Sequence, residues 1–171
     1  RIYWDAVKQV LPVELSFKGR ETRGARDAFN AMLNFGYQTI LFPEVWKAVS
    51  YAGLDFYAGY LHADRPGKPS MVLDLMEEFR QQVVDRTLMG LVTRGALKPE
   101  EVLAVEAVEE GRVLSKETVK TLLSSLQERL DMEVMFSGQR APLKNVIHQQ
   151  ARRVVRFLLH EGDYVPFSLG W

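Results

Sequence analysis

Apolar side chains recur at helical spacing between residues 70 and 94, and this pattern constrains the fold more than any other feature of the chain. At ~100° per residue, such a pattern places the apolar side chains in one stripe along a helix. The stripe consists of Val72, Leu75, Met76, Phe79 and Val83. We therefore predict a helix over residues 70–94, with Ser70 as its N-cap and the stripe facing the core.

The opposite side of this helix is polar and is predicted to face solvent. Its members are Asp74, Glu78, Gln81 and Asp85. Glu77 lies on a flank between the two sides, together with Arg80. A partly shielded carboxylate needs a cation, so Glu77 is expected to contact either Arg80 or a metal ion.

Helical periodicity predicts three more long elements. A central helix over residues 27–52 is expected to be interrupted near Pro43, because a proline inside a helix kinks or divides it. Two further helices are predicted over residues 116–135, capped by Ser115, and over residues 142–159, opening on a proline. We expect a mainly α fold: a single multi-helix domain over residues 1–171, with one candidate short β-hairpin near residues 103–114.

Composition excludes several classes of protein. The chain has no cysteine, so it has no disulfides, thiolate metal sites or cysteine nucleophiles, and this fits a reducing, cytoplasmic location. Glycine-rich phosphate loops and a serine nucleophile elbow are also missing from the sequence. The first residues already follow a helical pattern without an initiator Met, so we expect an upstream part of the protein to be missing.

Charge is balanced overall but is distributed unevenly. The net charge of zero argues against a uniformly basic nucleic-acid-binding protein. Residues 138–160 nevertheless contain basic side chains and no acidic ones. The last helix is predicted to bury an apolar face made of Leu143, Val146, Ile147, Val154 and Leu158. That leaves Arg152, Arg153 and Arg156 outward, as either a solvated face or a phosphate-binding surface.

His62 and Glu77 are the residues most informative about chemistry. His62 precedes a basic turn, and Glu77 lies on the carboxylate-rich helix that follows the turn. An imidazole and a carboxylate together suit a divalent ion beside a phosphate. Spacing alone leaves two interpretations open for each residue. His62 is either a hydrogen-bonded core residue or a metal ligand, and Glu77 either pairs with Arg80 or binds metal.

The segments around these residues resemble a known family, the CRISPR adaptation integrases. Residues 53–62 read GLDFYAGYLH, residues 73–80 read LDLMEEFR, and residues 84–86 read VDR. The sequences RGARD at 23–27, LNFGY at 33–37, QAR at 150–152 and YVPF at 164–167 extend the match over nearly the whole chain. The resemblance implies a metal-dependent DNA endonuclease and integrase that inserts spacers.

The resemblance also implies roles for particular residues. His62 and Glu77 would bind Mn²⁺ or Mg²⁺, and Asp74 would be an accessory catalytic carboxylate. Arg65, Arg80, Arg152 and Arg153 would contact the DNA backbone. The family's first metal ligand is a glutamate in a Glu-Gly motif that would precede Arg1, and that glutamate is not in this sequence.

By the same resemblance, residues 1–171 are the α-helical catalytic C-terminal domain, and the β-rich N-terminal domain through which the family dimerises is absent. The expected partners are double-stranded or branched DNA, a second copy of the protein and the small CRISPR adaptation subunit. The fragment is expected to be inactive alone because it lacks the glutamate. The alternative is a non-catalytic helical DNA-binding or scaffold domain.

Overall fold

The computed structural model describes residues 2–22, 25, 27–62, 65–102 and 114–169, and it confirms the predicted mainly α class. The first helices are α1 (Ile2–Val10), α2 (Ala28–Phe35), α3 (Phe42–Ala52), α4 (Ser70–Phe79) and α5 (Arg86–Thr93). They are followed by α6 (Pro99–Val102), α7 (Lys116–Asp131), the strands β1 (Glu133–Phe136) and β2 (Gln139–Pro142), and α8 (Leu143–Leu158). A short 3₁₀ turn occupies Val13–Leu15.

Two long helices each contain a π-helical segment. Gly36–Leu41 joins α2 to α3, and Arg80–Asp85 joins α4 to α5. The interruption predicted near Pro43 is therefore a π turn that ends just before the proline. The two π segments pack against each other where Gly36 meets Val84. A Cβ atom on Gly36 would lie 2.7 Å from Val84 Cγ1, so this close approach requires glycine.

The helix ends partly follow the predicted capping. Ser115 caps α7, since its hydroxyl accepts a hydrogen bond from the Thr118 amide at 3.2 Å. The prediction that Ser70 is the N-cap of its helix is wrong, because Ser70 is the first helical residue and Pro69 occupies the cap position. The Ser70 hydroxyl instead binds the preceding loop, where it accepts a hydrogen bond from the Gly59 amide at 2.9 Å.

A β-hairpin lies between the last two helices, where helix was predicted to run to residue 135. The helix α7 ends at Asp131, and β1 pairs antiparallel with β2, with Val134 opposite Ala141. The turn is formed by Ser137 and Gly138, whose positive φ angles of 51° and 80° are those that two-residue hairpins require. The candidate hairpin near residues 103–114 falls on residues 103–113, which lie outside the described residues.

The predicted apolar stripe of α4 and its continuation is buried as expected. Val72, Leu75, Phe79 and Val83 have no exposed surface. The prediction of a solvent-exposed polar side is wrong for Asp74 and Asp85, which are each 1% exposed. Periodicity missed their burial because this helix is covered on more than one side: the loop 56–62 covers Asp74, and tyrosines of α1 and the first π segment cover Asp85.

The helix α8 packs against α3 and α4, and most of its predicted core face is buried. Leu158 was predicted to be buried but is 57% exposed, because it lies at the end of the helix. In the part of the chain that the structure describes, no helix has the length and apolar character needed to cross a membrane.

Candidate active site

His62, in the loop before α4, and Asp74, in the middle of α4, are in direct contact. The Nδ1 atom of His62 lies 2.5 Å from Asp74 Oδ1. The imidazole is 29% exposed, whereas the Asp74 side chain has no exposed surface. The histidine therefore stands between a buried carboxylate and solvent, which allows its other ring nitrogen to meet a ligand.

The loop 56–62 is tied to the first turn of α4 by hydrogen bonds to its main-chain carbonyls. The Met71 amide donates to the Phe56 carbonyl at 3.0 Å, and the Ser70 hydroxyl donates to the carbonyl of Tyr57. Phe56 also stacks on Trp46 of α3, with ring centroids 4.1 Å apart. These contacts hold the loop against α3 and α4 and so fix the position of His62.

Gly59 allows the loop to approach α4 closely. A Cβ atom at this position would lie 2.7 Å from both Asp74 Oδ2 and the backbone carbon of Ser70. These distances are too short for any larger residue unless the loop moves. The glycine in the sequence GLDFYAGYLH is thus required by the packing of the loop onto the helix.

The Asp74 carboxylate receives four hydrogen bonds from one short stretch of loop. Its Oδ2 atom accepts from the amides of Tyr60 at 2.6 Å and Leu61 at 2.8 Å, and its Oδ1 atom accepts from the His62 amide at 3.0 Å as well as from the ring. Burial by itself raises the pKa of Asp74, but the hydrogen bonds from Leu61, His62 and Tyr60 outweigh it and lower the pKa. Asp74 is therefore an anion held in a nest of donors.

The ionised state of Asp74 fixes the tautomer of His62. A carboxylate only accepts hydrogen bonds, so the Nδ1 atom facing it carries a proton. In the neutral imidazole the lone pair is then on Nε2. Metal-binding histidines in proteins commonly have this arrangement, with the second ring nitrogen donating to a carboxylate.

Glu77 lies one turn further along α4 and forms an ion pair with Arg80. Its Oε1 atom is 3.1 Å from Arg80 Nη2, and its side chain is 43% exposed. The guanidinium of Arg80 also stacks on Tyr37, with Cζ 4.9 Å from the ring centroid. The ion pair, one of the two alternatives that spacing allowed, is present. It leaves a half-exposed carboxylate near the end of α4.

No group of three His, Asp, Glu or Cys side chains that could hold a metal ion occurs among the described residues. The site offers one imidazole nitrogen and one exposed carboxylate, which are donor types that Mn²⁺ and Mg²⁺ accept. Among the described residues the His62 ring contacts Asp74, and Glu77 pairs with Arg80.

Asp85 is the centre of a buried network that the sequence did not indicate. It accepts hydrogen bonds from the hydroxyl groups of Tyr3, at 2.7 Å, and Tyr37. Burial raises the pKa of Asp85 even though both hydrogen bonds and the nearby arginines lower it. No local pattern could have revealed this contact, because Tyr3 and Asp85 are 82 residues apart.

Arg20 joins the same network and is not available as an open basic surface. Its guanidinium donates to Asn30 Oδ1 at 3.0 Å and Asn34 Oδ1 at 2.6 Å, and its Cζ atom lies 5.3 Å from the centroid of Tyr37. Tyr37 is therefore contacted by both Arg20 and Arg80. The chain of contacts from Glu77 through Arg80 and Tyr37 to Asp85 links the site to the protein core.

The basic residues predicted to contact DNA differ in exposure. Arg65 and Arg152 are exposed. Arg65, which follows His62 by three residues, lines a cavity of about 340 Å³. Arg80 is 26% exposed and engaged with Glu77. Arg153 was predicted to point outward, but it is half-buried, with its guanidinium 4.3 Å from the Phe136 ring and hydrogen-bonded to Ser137.

Glu78 holds the C-terminal segment 164–167 against α4. Its carboxylate accepts hydrogen bonds from the Tyr164 hydroxyl, the Phe167 amide at 3.0 Å and Gln150 Nε2 at 2.8 Å. Gln150 is fully buried and also donates to the Val165 carbonyl at 3.0 Å. The segment 164–167 is therefore an ordered strap that is bonded to Glu78, the residue after Glu77.

Comparison with known proteins bears on the family and the fold of the chain. The family described as CRISPR associated protein Cas1 matches residues 1–128. The CRISPR-associated endonuclease Cas1 1 of Archaeoglobus fulgidus is 44% identical over 175 residues, which cover 99% of this chain and 50% of that protein. The chain thus spans about half the length of this relative.

Two solved structures share the fold. A casposase bound to its integration product superposes with a TM-score of 0.84 at 27% identity, covering 95% of this chain and 45% of that one. A chain of a Cas6-RT-Cas1–Cas2 complex superposes with a TM-score of 0.78 at 24% identity, covering 94% of this chain and 17% of that one. With the matched family and the relative at 44% identity, these findings establish that the chain belongs to the Cas1 family of CRISPR-associated proteins.

Proposed function

We propose that this chain is the helical part of a divalent-metal-dependent DNA endonuclease and integrase that cleaves and joins phosphodiesters during CRISPR spacer acquisition. The observation that carries the proposal is the contact between His62 Nδ1 and the buried Asp74 carboxylate. With Nδ1 engaged by Asp74 and the imidazole 29% exposed, Nε2 is the nitrogen left for a ligand. Metal-binding histidines commonly donate their second ring nitrogen to a carboxylate in this way.

The relatives support the reaction class. The protein from Archaeoglobus fulgidus is named an endonuclease, and the casposase of similar fold was solved with an integration product. Both cover nearly all of this chain, and this chain covers half or less of each of them. The activity of the complete protein is therefore part of the proposal.

In this proposal His62 and Glu77 are metal ligands and Asp74 orients the imidazole. The donor set accommodates either Mn²⁺ or Mg²⁺, since carboxylates suit both and an imidazole favours Mn²⁺. When bound, it would neutralise negative charge that develops on the phosphoryl oxygens. Arg80 holds the Glu77 carboxylate on the exposed side of α4 through their ion pair.

Backbone contacts to double-stranded or branched DNA are assigned to exposed cations near this site. Arg65 and Arg152 are the best placed of the predicted residues, because both are exposed. Arg80 and Arg153 already contact protein groups, so in this proposal they contribute mainly charge. Such contacts position DNA and do not read its bases.

The third ligand and the partners follow from the family resemblance. A glutamate upstream of Arg1 would complete the ligand set, so residues 1–171 alone are expected to bind Mn²⁺ weakly and to be inactive. The partners would be a second copy of the protein and the small CRISPR adaptation subunit. The solved Cas6-RT-Cas1–Cas2 complex contains a chain of this fold, which is consistent with that assembly.

The test is Mn²⁺-dependent strand transfer on a branched DNA substrate. Four proteins are compared: a chain extended upstream through the Glu-Gly motif, its His62→Ala variant, its His148→Ala variant and residues 1–171. His148 is a matched control because it pairs with Glu44 and stacks on Tyr51, away from Asp74. We expect activity in the extended chain and its His148→Ala variant, and none in the other two.

Activity that survives His62→Ala would overturn the metal-site assignment. The reaction would then depend on other residues. DNA binding without any strand transfer by the extended chain would instead favour the alternative class, a non-catalytic helical DNA-binding or scaffold domain.

A further inference from the structure

Tyr37 is a buried residue that contacts Arg80, the partner of Glu77. Its side chain is 3% exposed, and Arg80 Cζ lies 4.9 Å from the centroid of its ring. The hydroxyl of Tyr37 donates a hydrogen bond to Asp85, which is 1% exposed. Burial and the neighbouring Asp85 carboxylate raise the pKa of Tyr37, so its hydroxyl keeps its proton and remains a donor. Tyr37 is therefore anchored at its hydroxyl and contacts Arg80 with its ring.

The π segment brings Arg80 and Asp85 to the same side of their helix. In a regular α-helix five residues turn through about 500°, so the two side chains would point in directions about 140° apart. The segment Arg80–Asp85 is π-helical, and hydrogen bonds between residues five apart widen its turn. Residues five apart are then stacked, and both side chains contact Tyr37. The π segment thus allows one tyrosine to contact both residues.

Arg20 is a second cation at the same ring. Its Cζ atom lies 5.3 Å from the Tyr37 centroid, and the side chains of two asparagines accept hydrogen bonds from its guanidinium. Two cations at one ring repel each other. The carboxylate of Glu77, 3.1 Å from Arg80 Nη2, offsets that repulsion. The charges around Tyr37 therefore favour the ion pair between Arg80 and Glu77.

The ion pair leaves Glu77 able to bind a metal ion as well. Arg80 contacts the Oε1 atom, and a carboxylate has acceptor positions on both of its oxygens. Carboxylates that bind metal ions are themselves commonly hydrogen-bonded, and loss of such a partner costs about 10–100-fold in affinity. The Nε atom of Arg80 is buried without a hydrogen-bond partner among the described residues. The position of Arg80 therefore depends more strongly on its contact with Tyr37.

We propose that Tyr37 is a positioning residue of the metal centre: Asp85 anchors it, and its ring orients Arg80, which holds the Glu77 carboxylate for the ion. This inference rests on the proposed function, because it takes Glu77 as a metal ligand. Tyr37 touches neither the ion nor DNA and acts through Arg80. Two other roles make opposite predictions: Tyr37 only stabilises the core, or Arg80 competes with the ion for Glu77.

The test measures Mn²⁺ affinity without DNA, by isothermal titration calorimetry on the chain extended upstream through the Glu-Gly motif. Tyr37→Leu removes the ring, whereas Tyr37→Phe keeps the ring and removes only the hydrogen bond to Asp85. Phe29→Leu is the matched control, because Phe29 is fully buried and packs on Phe17, about 12 Å of helical rise from Tyr37. Urea unfolding gives the free energy of unfolding of each variant.

We expect Tyr37→Leu and Arg80→Gln each to weaken Mn²⁺ binding by about 10-fold, because each leaves the Glu77 carboxylate unsupported. Tyr37→Phe should weaken it by a smaller factor, since the ring stays in contact with Arg80. Phe29→Leu should lower the free energy of unfolding and leave Mn²⁺ affinity unchanged. In an Arg80→Gln background, Tyr37→Leu should have no further effect on Mn²⁺ affinity, because the residue through which it acts is gone.

Tighter Mn²⁺ binding by Arg80→Gln would overturn the inference, since Arg80 would then be a competitor of the ion. Equal losses of Mn²⁺ affinity in Tyr37→Leu and Phe29→Leu would assign Tyr37 to the core alone, and a full further loss in the Arg80→Gln background would exclude action through Arg80. If Tyr37→Leu does not fold, Tyr37→Phe serves in these comparisons.

A His62→Ala variant separates this inference from the proposed function. If it abolishes Mn²⁺ binding while the Tyr37 variants bind like the parent, the inference fails and the proposed function stands. If the parent chain does not bind Mn²⁺, both are overturned.

Discussion

The Nδ1 atom of His62 lies 2.5 Å from Asp74 Oδ1, while the other oxygen of the same carboxylate binds two backbone amides of the loop that carries His62. One buried side chain therefore sets both the position of the loop and the orientation of the imidazole. Structure and chemistry at this site depend on the same group, so a change at Asp74 should affect both.

Asp74→Asn should weaken Mn²⁺ binding by about 10–100-fold, the usual effect of removing a carboxylate that orients a metal-binding histidine. An amide nitrogen in place of one oxygen must face either the loop amides or the imidazole proton, so one donor meets another. Isothermal titration calorimetry with Mn²⁺ measures the loss. Asp55→Asn is the control, because Asp55 is exposed and accepts a hydrogen bond from the nearby Tyr57 amide, with no contact to Asp74 or His62 among the described residues. Equal Mn²⁺ affinities for the two variants would contradict the role given to Asp74.

Gly59→Ala should displace the loop 56–62 from α4. The added Cβ atom would lie 2.7 Å from the Ser70 backbone, which cannot rotate away, and we expect a loss of about 1–3 kcal/mol in the free energy of unfolding. Weaker Mn²⁺ binding should accompany it, because His62 moves with the loop. Urea unfolding and calorimetry check the two effects. Gly162→Ala is the matched control, since no atom lies within 4 Å of a Cβ there, and it should change neither.

Gly36→Ala should destabilise the packing of the two π segments. Its Cβ atom would lie 2.7 Å from Val84 Cγ1, and this overlap should outweigh the gain of about 1 kcal/mol from helix propensity. Because the obstacle is a side chain, the double variant Gly36→Ala/Val84→Ala should show a favourable coupling of about 0.5–3 kcal/mol in a double-mutant cycle. Urea unfolding provides the four free energies. Gly90→Ala, which would meet only the flexible end of Arg94, should be neutral or stabilising. Strictly additive effects at Gly36 and Val84 would refute the clash.

Asp85 should make stability depend on pH. Burial raises its pKa in the folded protein above the unfolded value of about 3.9, despite the hydrogen bonds from Tyr37 and Tyr3. Between those two pKa values the folded state binds more protons than the unfolded state, so the free energy of unfolding falls as the pH rises through that interval. Asp85→Asn removes this titration. Urea unfolding between about pH 4 and pH 8 should show the parent losing stability relative to the variant, and then a constant difference at higher pH. Parallel curves throughout would exclude a raised pKa for Asp85.

The structure agrees with the sequence predictions where helical spacing determines the element. The extent of the helices around residues 27–52 and 70–94 and the apolar stripe of α4 were predicted well, since both depend on helical spacing. The π segments were not predicted, because their packing at Gly36 and Val84 joins two separate helices. The hairpin was missed although Ser137-Gly138 is a recognised turn signal, because the periodicity of α7 was extended past Asp131.

The predictions for the candidate site also failed where a contact joins segments that are far apart in the sequence. Spacing alone left His62 and Glu77 each with two readings, and the family resemblance was needed to favour metal binding. The burial of Asp74 and Asp85 went unpredicted because their partners come from distant segments, the loop 56–62 for one and Tyr3 for the other. The carboxylate of Glu78 was assigned to solvent for the same reason: its partners follow it by 72 to 89 residues.

The hydrogen bond between Glu78 and the Phe167 amide joins residues that are 89 positions apart. The ribosome must therefore add 89 residues after Glu78 before this bond can form. At ~5–20 residues per second, synthesis of that length takes roughly 4–18 s. During this interval the nascent chain contains the residues of α4, but not the strap, which supplies two of the three hydrogen bonds to the Glu78 carboxylate. The packing of the strap on α4 therefore has to follow the synthesis of residues 164–167.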